Sequence, residues 1–331
     1  MSTSTFGIDF DMNPNLGYRK LGRFCRLCLG TVFVFFACAR SGTCQTIDEL
    51  TAQGKAVLKD LDFTPEMVSL AEDKADKGDA KSQYVLGWMY FIGQSVDRNP
   101  EKAVQWMTKA ANQNFHYSQT QLGLMYLVAK EIPGNYALAR EWFLKGAARN
   151  ETDALNGLGV IYSQGLGVEP NGSEAIKYFR LAADAGFAVA QYNLGFQYAT
   201  GTLVPKDPQE AVKWFQLAAQ QDHVRATYSL GVMYRDGQGV EQNSAEAFRL
   251  FQKSAEKYRF PPAQHNLGAM YYQGKGVPKN LVLAYMWISL AADAGFEPSK
   301  KLMPTVAEKM TPEQIAEAKR QAQNWTKVHE N

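Results

Sequence analysis

Small and apolar residues return along this chain at helical spacings. One set begins at Ala103, Ala139, Ala175, Ala211, Ala247 and Ala284. Three residues later stand Trp106, Trp142, Tyr178, Trp214, Leu250 and Trp287. Next to these come Met107, Phe143, Phe179, Phe215, Phe251 and Ile288. A small pair closes each set, from Ala110-Ala111 to Ala291-Ala292. Offsets of 0, 3, 4, 7 and 8 trace one stripe of an α-helix, here named helix B. Its start is marked by Asn99, Asn135, Asn171, Asp207, Asn243 and Asn280, whose side-chain oxygens suit an N-cap. Pro100 and Pro208 follow two of these caps at the first helical position, where a missing N–H costs nothing.

A second set alternates with the first and predicts helix A. Leu-Gly recurs at Gly87, Gly123, Gly159, Gly195, Gly231 and Gly268, spaced 36 residues apart and 37 at the last interval. A tyrosine stands three residues after each glycine, from Tyr90 to Tyr271. Five residues before each glycine the residue is small: Ser82, Ser118, Ala154, Ala190, Ala226 and Ala263. Glycine inside a helix costs about 0.5–1 kcal/mol relative to alanine, so six such glycines imply a packing need. They give room to a large helix B side chain. Glycine turns join helix A to helix B at Gly93, Gly165, Gly201, Gly237 and Gly274, and only the second unit departs, with Ala129-Lys-Glu-Ile132. A fixed period of this length marks a solenoid of stacked units.

These motifs resemble those of the Sel1-like repeat family, a relative of the tetratricopeptide repeats, over Ser82–Gly295. The stretch Met310–Ile315 also looks like the closing segment of bacterial members. The resemblance implies an all-α, right-handed α/α superhelical solenoid of about six to seven hairpins with capping helices. It also implies a scaffold or adaptor role and fixes no single partner.

The expected organisation has four parts. Residues 1–45 form a signal peptide with a possible misassigned extension. Residues 46–81 form cap helices, with 64–77 a lone helix B and Ile47–Leu61 an extra helix. Residues 82–295 hold six repeats and 296–331 the closing cap. In that cap, Pro304 takes the place of the helix A glycine and is expected to kink or end its helix. Thr311-Pro-Glu-Gln314 reads as a capping box opening a helix to about Val328, with Ile315, Ala318, Ala322 and Trp325 as its stripe.

Arg19, Lys20, Arg23 and Arg26 precede the apolar run Leu27–Ala39. That run is about 13 residues, short for a membrane span and suited to a signal-peptide core, with Ala37-Cys-Ala39 as a cleavage site. The expectation is an exported protein, periplasmic or secreted, with no stable membrane span after processing. All four cysteines lie in or beside this leader (Cys25, Cys28, Cys38 and Cys44), so the repeats carry no disulfide staples, unlike the cysteine-rich secreted subgroup of the family. Lipid attachment at Cys38 or Cys44 is the alternative.

The net charge of +2 gives no bulk electrostatic case for nucleic acid. The four histidines, His116, His223, His265 and His329, form no metal-binding spacing. The glycine turns lack the Lys-Ser/Thr of a phosphate loop. No catalytic, cofactor or metal site is therefore expected.

The positions that vary between repeats carry the function. Offsets 2, 6 and 9 of helix A lie opposite its core stripe. Related repeats line their concave side with helix A, so these positions would form an aromatic-rich inner wall. Its candidate partner-binding residues are Tyr84, Trp88, Tyr192, Asn193, Phe196, Tyr228, Arg235, His265, Asn266 and Tyr272, with the asparagines as hydrogen-bond partners for a peptide backbone. The same residues could instead pack one hairpin on the next, and the cap helices are expected to cover Trp88 and Phe91. The expectation is a non-catalytic protein- or peptide-binding scaffold of the bacterial envelope. A cell-wall-active or β-lactam-handling enzyme and an anchored structural lipoprotein are the alternatives.

Overall fold

The computed structural model describes residues 65–93, 95–128 and 135–329. The expected leader, its cysteines, the expected helix Ile47–Leu61 and the departing stretch Ala129–Ile132 lie outside them. Fifteen helices and no strand occur among the described residues. A first helix, α1 (Pro65–Asp76), precedes six A/B pairs. These are α2 (Ala80–Ile92) with α3 (Pro100–Asn112), α4 (His116–Val128) with α5 (Tyr136–Ala147), and α6 (Thr152–Gln164) with α7 (Gly172–Asp184). Then come α8 (Ala188–Thr200) with α9 (Pro208–Gln220), α10 (Val224–Asp236) with α11 (Ser244–Tyr258), and α12 (Pro261–Gln273) with α13 (Leu281–Asp293). Finally α14 (Glu297–Ala307) and α15 (Pro312–His329) close the chain. Two compact units divide it, Met1–Val189 and Ala190–Asn331.

Helix B begins where its caps predict. Asn99, Asn135, Asn171, Asp207, Asn243 and Asn280 each accept a hydrogen bond from a first-turn N–H. The caps also tie the two helices of a hairpin together. The N–H of Asn99 donates to the carbonyl of Tyr90 at 2.7 Å, and the same bond joins Asn171 to Tyr162, Asp207 to Tyr198, Asn243 to Tyr234 and Asn280 to Tyr271. The recurring tyrosine thus supplies a backbone acceptor at the end of helix A. Its ring packs outward on a helix B, as Tyr271 does edge-on against Phe248 at 5.3 Å.

The helix A glycines answer a steric demand. A Cβ at Gly159 would stand 2.5 Å from the Phe179 ring, and one at Gly231 2.8 Å from the Phe251 ring. Gly87, Gly123, Gly195 and Gly268 meet Met107, Phe143, Phe215 and Ile288 in the same way. The partner is always the helix B residue after the tryptophan position. Phe143, Phe215 and Phe251 are among the largest fully buried side chains, so each of their hairpins is sealed by one ring laid on bare backbone.

At the N-terminal end α1 buries Val68, Ala71 and Ala75 against Val85, Leu86 and Met89, as a lone helix B should. At the other end α14 runs through Pro304 to Ala307, two residues shorter after Ser299 than the helix A of each repeat, the early end expected there. Pro304 is exposed, and so is Lys300, whose carbonyl loses its helical donor and can be hydrated. Val306, fully buried beside Ala284, Ile288 and Ala318, holds the last turn in place.

The capping box forms as read. The N–H of Thr311 donates to Gln314 Oε1 at 3.0 Å, and the N–H of Gln314 to Thr311 Oγ1 at 3.3 Å. Ala318 and Ala322 are buried and Trp325 meets Trp287 edge-on at 5.4 Å. Thr311→Ala is expected to cost about 1 kcal/mol. Amide exchange in the first turn of α15 should rise accordingly, and unchanged protection there would show the cap to be idle.

Candidate functional site

The helix A wall separates into two kinds of residue. Those at offset 2 are engaged in joining hairpins. Tyr84 packs on Phe115 with ring centres 5.4 Å apart, Tyr192 on His223 at 4.9 Å, Tyr228 on Phe260 at 5.3 Å and His265 on Phe296 at 5.4 Å. Between α4 and α6 the same position is polar, with the Thr120 hydroxyl donating to the Glu151 carboxylate. The partner each time is the residue just before the next helix A. Sequence reasoning passed over this series, although Phe115, Phe187, His223, Phe260 and Phe296 recur in step with the repeat.

A glutamine after the small first position adds a polar link. Gln83 Nε2 donates to the carbonyl of Ala75 and Gln119 Nε2 to that of Ala111, both at 3.0 Å. Gln113 reaches Gln83, and Gln221 reaches Gln191, at 2.8 Å. The Gln83 and Gln119 amides fix α2 on α1 and α4 on α3.

Several candidate wall residues are consequently buried. Trp88, Asn193 and Tyr192 are only 6%, 7% and 8% exposed. Among the described residues, Trp88 and Phe91 pack with Met107, Leu122 and Trp142 of α3, α4 and α5. Tyr84 and Tyr228 are half-buried by their stacking partners.

What stays open lies in the second unit. Phe196, on α8, is 44% exposed, the one large apolar side chain so exposed on any described helix A. On α10 and α12 a polar chain runs along the wall. Arg235 Nη1 donates to Asn266 Oδ1, and Asn266 Nδ2 donates to the Tyr228 hydroxyl, each at 3.0 Å. Arg235 also forms a forked pair with Asp236 at 2.7 and 2.8 Å, so its charge is largely neutralised. Burial raises the Tyr228 pKa and keeps its hydroxyl protonated. Tyr272 closes the row, with the Lys309 and Lys279 ammoniums 5.0 and 5.9 Å from its ring centre.

The histidines take structural places. His265 Nδ1 lies 2.9 Å from Ser299 Oγ, and its pKa is lowered, by burial first and then by Arg235. Ser299 is fully buried, so this pair presents no nucleophile to a substrate. His223 accepts the N–H of Ala226 on Nδ1 at 3.2 Å and caps α10. Among the described residues no group of histidine, cysteine, aspartate and glutamate could hold a metal ion, and no helix is long and apolar enough to cross a membrane.

Comparison with known proteins agrees with this architecture. The Sel1 repeat family model matches residues 80–115, 116–151, 152–187, 188–223, 224–258 and 261–296. The crystal structure of c5321, a protective antigen of uropathogenic Escherichia coli with an SLR fold, is similar at a TM-score of 0.67 and 32% identity, over 78% of this chain and 56% of that one. A Sel1 repeat protein from Oxalobacter formigenes gives a TM-score of 0.58 and 28% identity, over 74% of this chain and 92% of that one. A putative sel1-like repeat-containing protein, L18, of Acanthamoeba polyphaga mimivirus is 49% identical over 43 residues, only 7% of its length and 13% of this chain. This chain thus spans a small part of that curated relative and little more than half of c5321. Solenoids of this kind are typical of protein-interaction scaffolds. With six matched repeats over well more than half its length, and hairpins sealed by glycine against a large helix B side chain, the chain belongs to the Sel1 repeat family.

Proposed function

We propose that this protein is a non-catalytic scaffold that binds a protein or peptide partner along the helix A wall of its second unit, and that it acts after export in a bacterial envelope. The observation that carries the binding reading is Phe196. Other large wall residues are buried or half-buried by their neighbours, whereas this ring is 44% exposed on the same helix as Tyr192 and Asn193. An exposed aromatic beside ordered polar groups is a common anchor for a partner. Asn266 and Arg235, already oriented by their mutual bond, supply polar contacts of fixed geometry. The inaccessible Ser299 supports a non-catalytic role. Export is supported by the basic-then-apolar N-terminal sequence and by resemblance to a bacterial protective antigen.

The test is a photoreactive phenylalanine analogue placed at Phe196 and, separately, at Arg235, with a control at the exposed Lys213 on helix B. Irradiation in the source cells followed by mass spectrometry is expected to give one shared protein from both wall sites and not from the control. Absence of any capture from either wall site would sink the reading.

A further inference from the structure

The C-terminal end of the second unit's wall carries two lysines that form no ion pair among the described residues. Lys279, in the turn before α13, and Lys309, after α14, come from different hairpins. Both ammoniums nevertheless lie over the ring of Tyr272, at 5.9 and 5.0 Å from its centre. The ring is half-buried against the closing cap, beside Ala284, Val306 and Ala318, and so it is a fixed platform. Neither lysine forms an ion pair among the described residues. That sets them apart from Lys300 with Glu297, from Lys253 and Lys257 with Asp222, and from Arg235 with Asp236. Two ammoniums within 6 Å of one ring centre repel each other, and an anion brought near them relieves that repulsion.

We infer that the corner formed by Tyr272, Lys279 and Lys309 receives carboxylate side chains of an acidic segment of the partner protein. This rests on the proposed reading of the wall as a protein-binding surface and adds the chemistry of what it binds. Phe196, Val232 and Asn266 lie on α8, α10 and α12 of the same unit, and α12 also carries Tyr272. An extended segment with apolar and acidic residues in turn matches both parts. The apolar side chains give affinity, and the carboxylates fix direction and speed encounter.

The experiment uses the full chain and two fluorescein-labelled peptides, one alternating glutamate with leucine and one alternating lysine with leucine, followed by fluorescence anisotropy. The glutamate peptide is expected to bind, more weakly as salt rises, and the lysine peptide to bind at least about tenfold less well. Lys279→Glu/Lys309→Glu is expected to weaken the glutamate peptide by about tenfold or more. Lys177→Glu/Lys213→Glu, the same charge change on helix B, should leave it unchanged. Equal binding of the two peptides, no binding of the glutamate peptide, or equal loss in both charge-reversed proteins would overturn the inference. Continued capture of a partner from Phe196 in the Lys279→Glu/Lys309→Glu protein would remove the acidic corner while leaving the scaffold reading intact. Loss of the whole scaffold reading is marked instead by the absence of capture from the unaltered chain.

Discussion

Gly231→Ala is expected to destabilise the second unit when Phe251 is present and to stabilise it when Phe251 is replaced by alanine. The added methyl carbon would stand 2.8 Å from the Phe251 ring, closer than real contacts allow, and 3.3 Å from the Leu250 Cβ, a tight contact. Overpacking of this kind costs about 1–3 kcal/mol, set against a gain of about 0.5–1 kcal/mol from a better helix former. Phe251 is fully buried, and Phe251→Ala should cost about 3–5 kcal/mol through lost transfer energy and a cavity. In the double variant the methyl added at position 231 enters that cavity, so the clash disappears and the helix gain remains. The coupling between the two changes should therefore equal the clash, about 1–3 kcal/mol. Stacked repeats can open in part, so the reading should come from amide exchange within α10 and α11 across the four proteins. If Gly231→Ala costs the same in both backgrounds, the glycine is there for another reason.

That close approach was legible in the sequence because it repeats. Six glycines at one phase of helix A, matched by six large residues at one phase of helix B, are what a helix-on-helix contact without room for a Cβ produces. The caps were legible on the same ground, and the capping box from its own four residues. The wall was legible only as a direction. A helical wheel places Tyr192 and Phe196 on the same side, yet the first is buried and the second is 44% exposed. The difference comes from His223, a residue outside the periodic stripe that folds over Tyr192 from the next hairpin. Residues that precede a helix do not enter its hydrophobic period, so the stacking series escaped notice. The bond between Arg235 and Asn266 depends on how one hairpin registers on the next, which a single-helix pattern does not contain. Pro304 was legible as an early end, since α14 stops two residues sooner than the helix A of each repeat, but that its last turn reaches Ala307 with Val306 buried was not.

His223 should give the second unit an acid limit that the phenylalanine-capped hairpins lack. Where its equivalents Phe115, Phe260 and Phe296 are inert rings, His223 both stacks on Tyr192 and accepts the Ala226 N–H on Nδ1. The acceptor role requires Nδ1 to be unprotonated, so the folded ring carries its proton on Nε2 alone. Burial, and then the charge of Arg225, hold its pKa down to about 4, below the ordinary 6.5. The unfolded chain takes up a proton near 6.5 and the folded chain only near 4. The neutral ring's contribution is thus fully present above about pH 6.5 and is lost as the pH falls toward 4, by about 3 kcal/mol in all. His223→Phe keeps the ring contact and removes the titration. Near pH 7.5 it should lie within about 1 kcal/mol of the parent, since only a cap bond is lost. Between pH 6.5 and 4 the parent should fall relative to His223→Phe by that same 3 kcal/mol, measured by urea unfolding or by amide exchange in α10. Carboxylates titrate alike in both proteins, so the difference isolates the histidine. A difference that stays flat across this range would mean that His223 is charged or solvated in the fold, and the cap on α10 would need another acceptor.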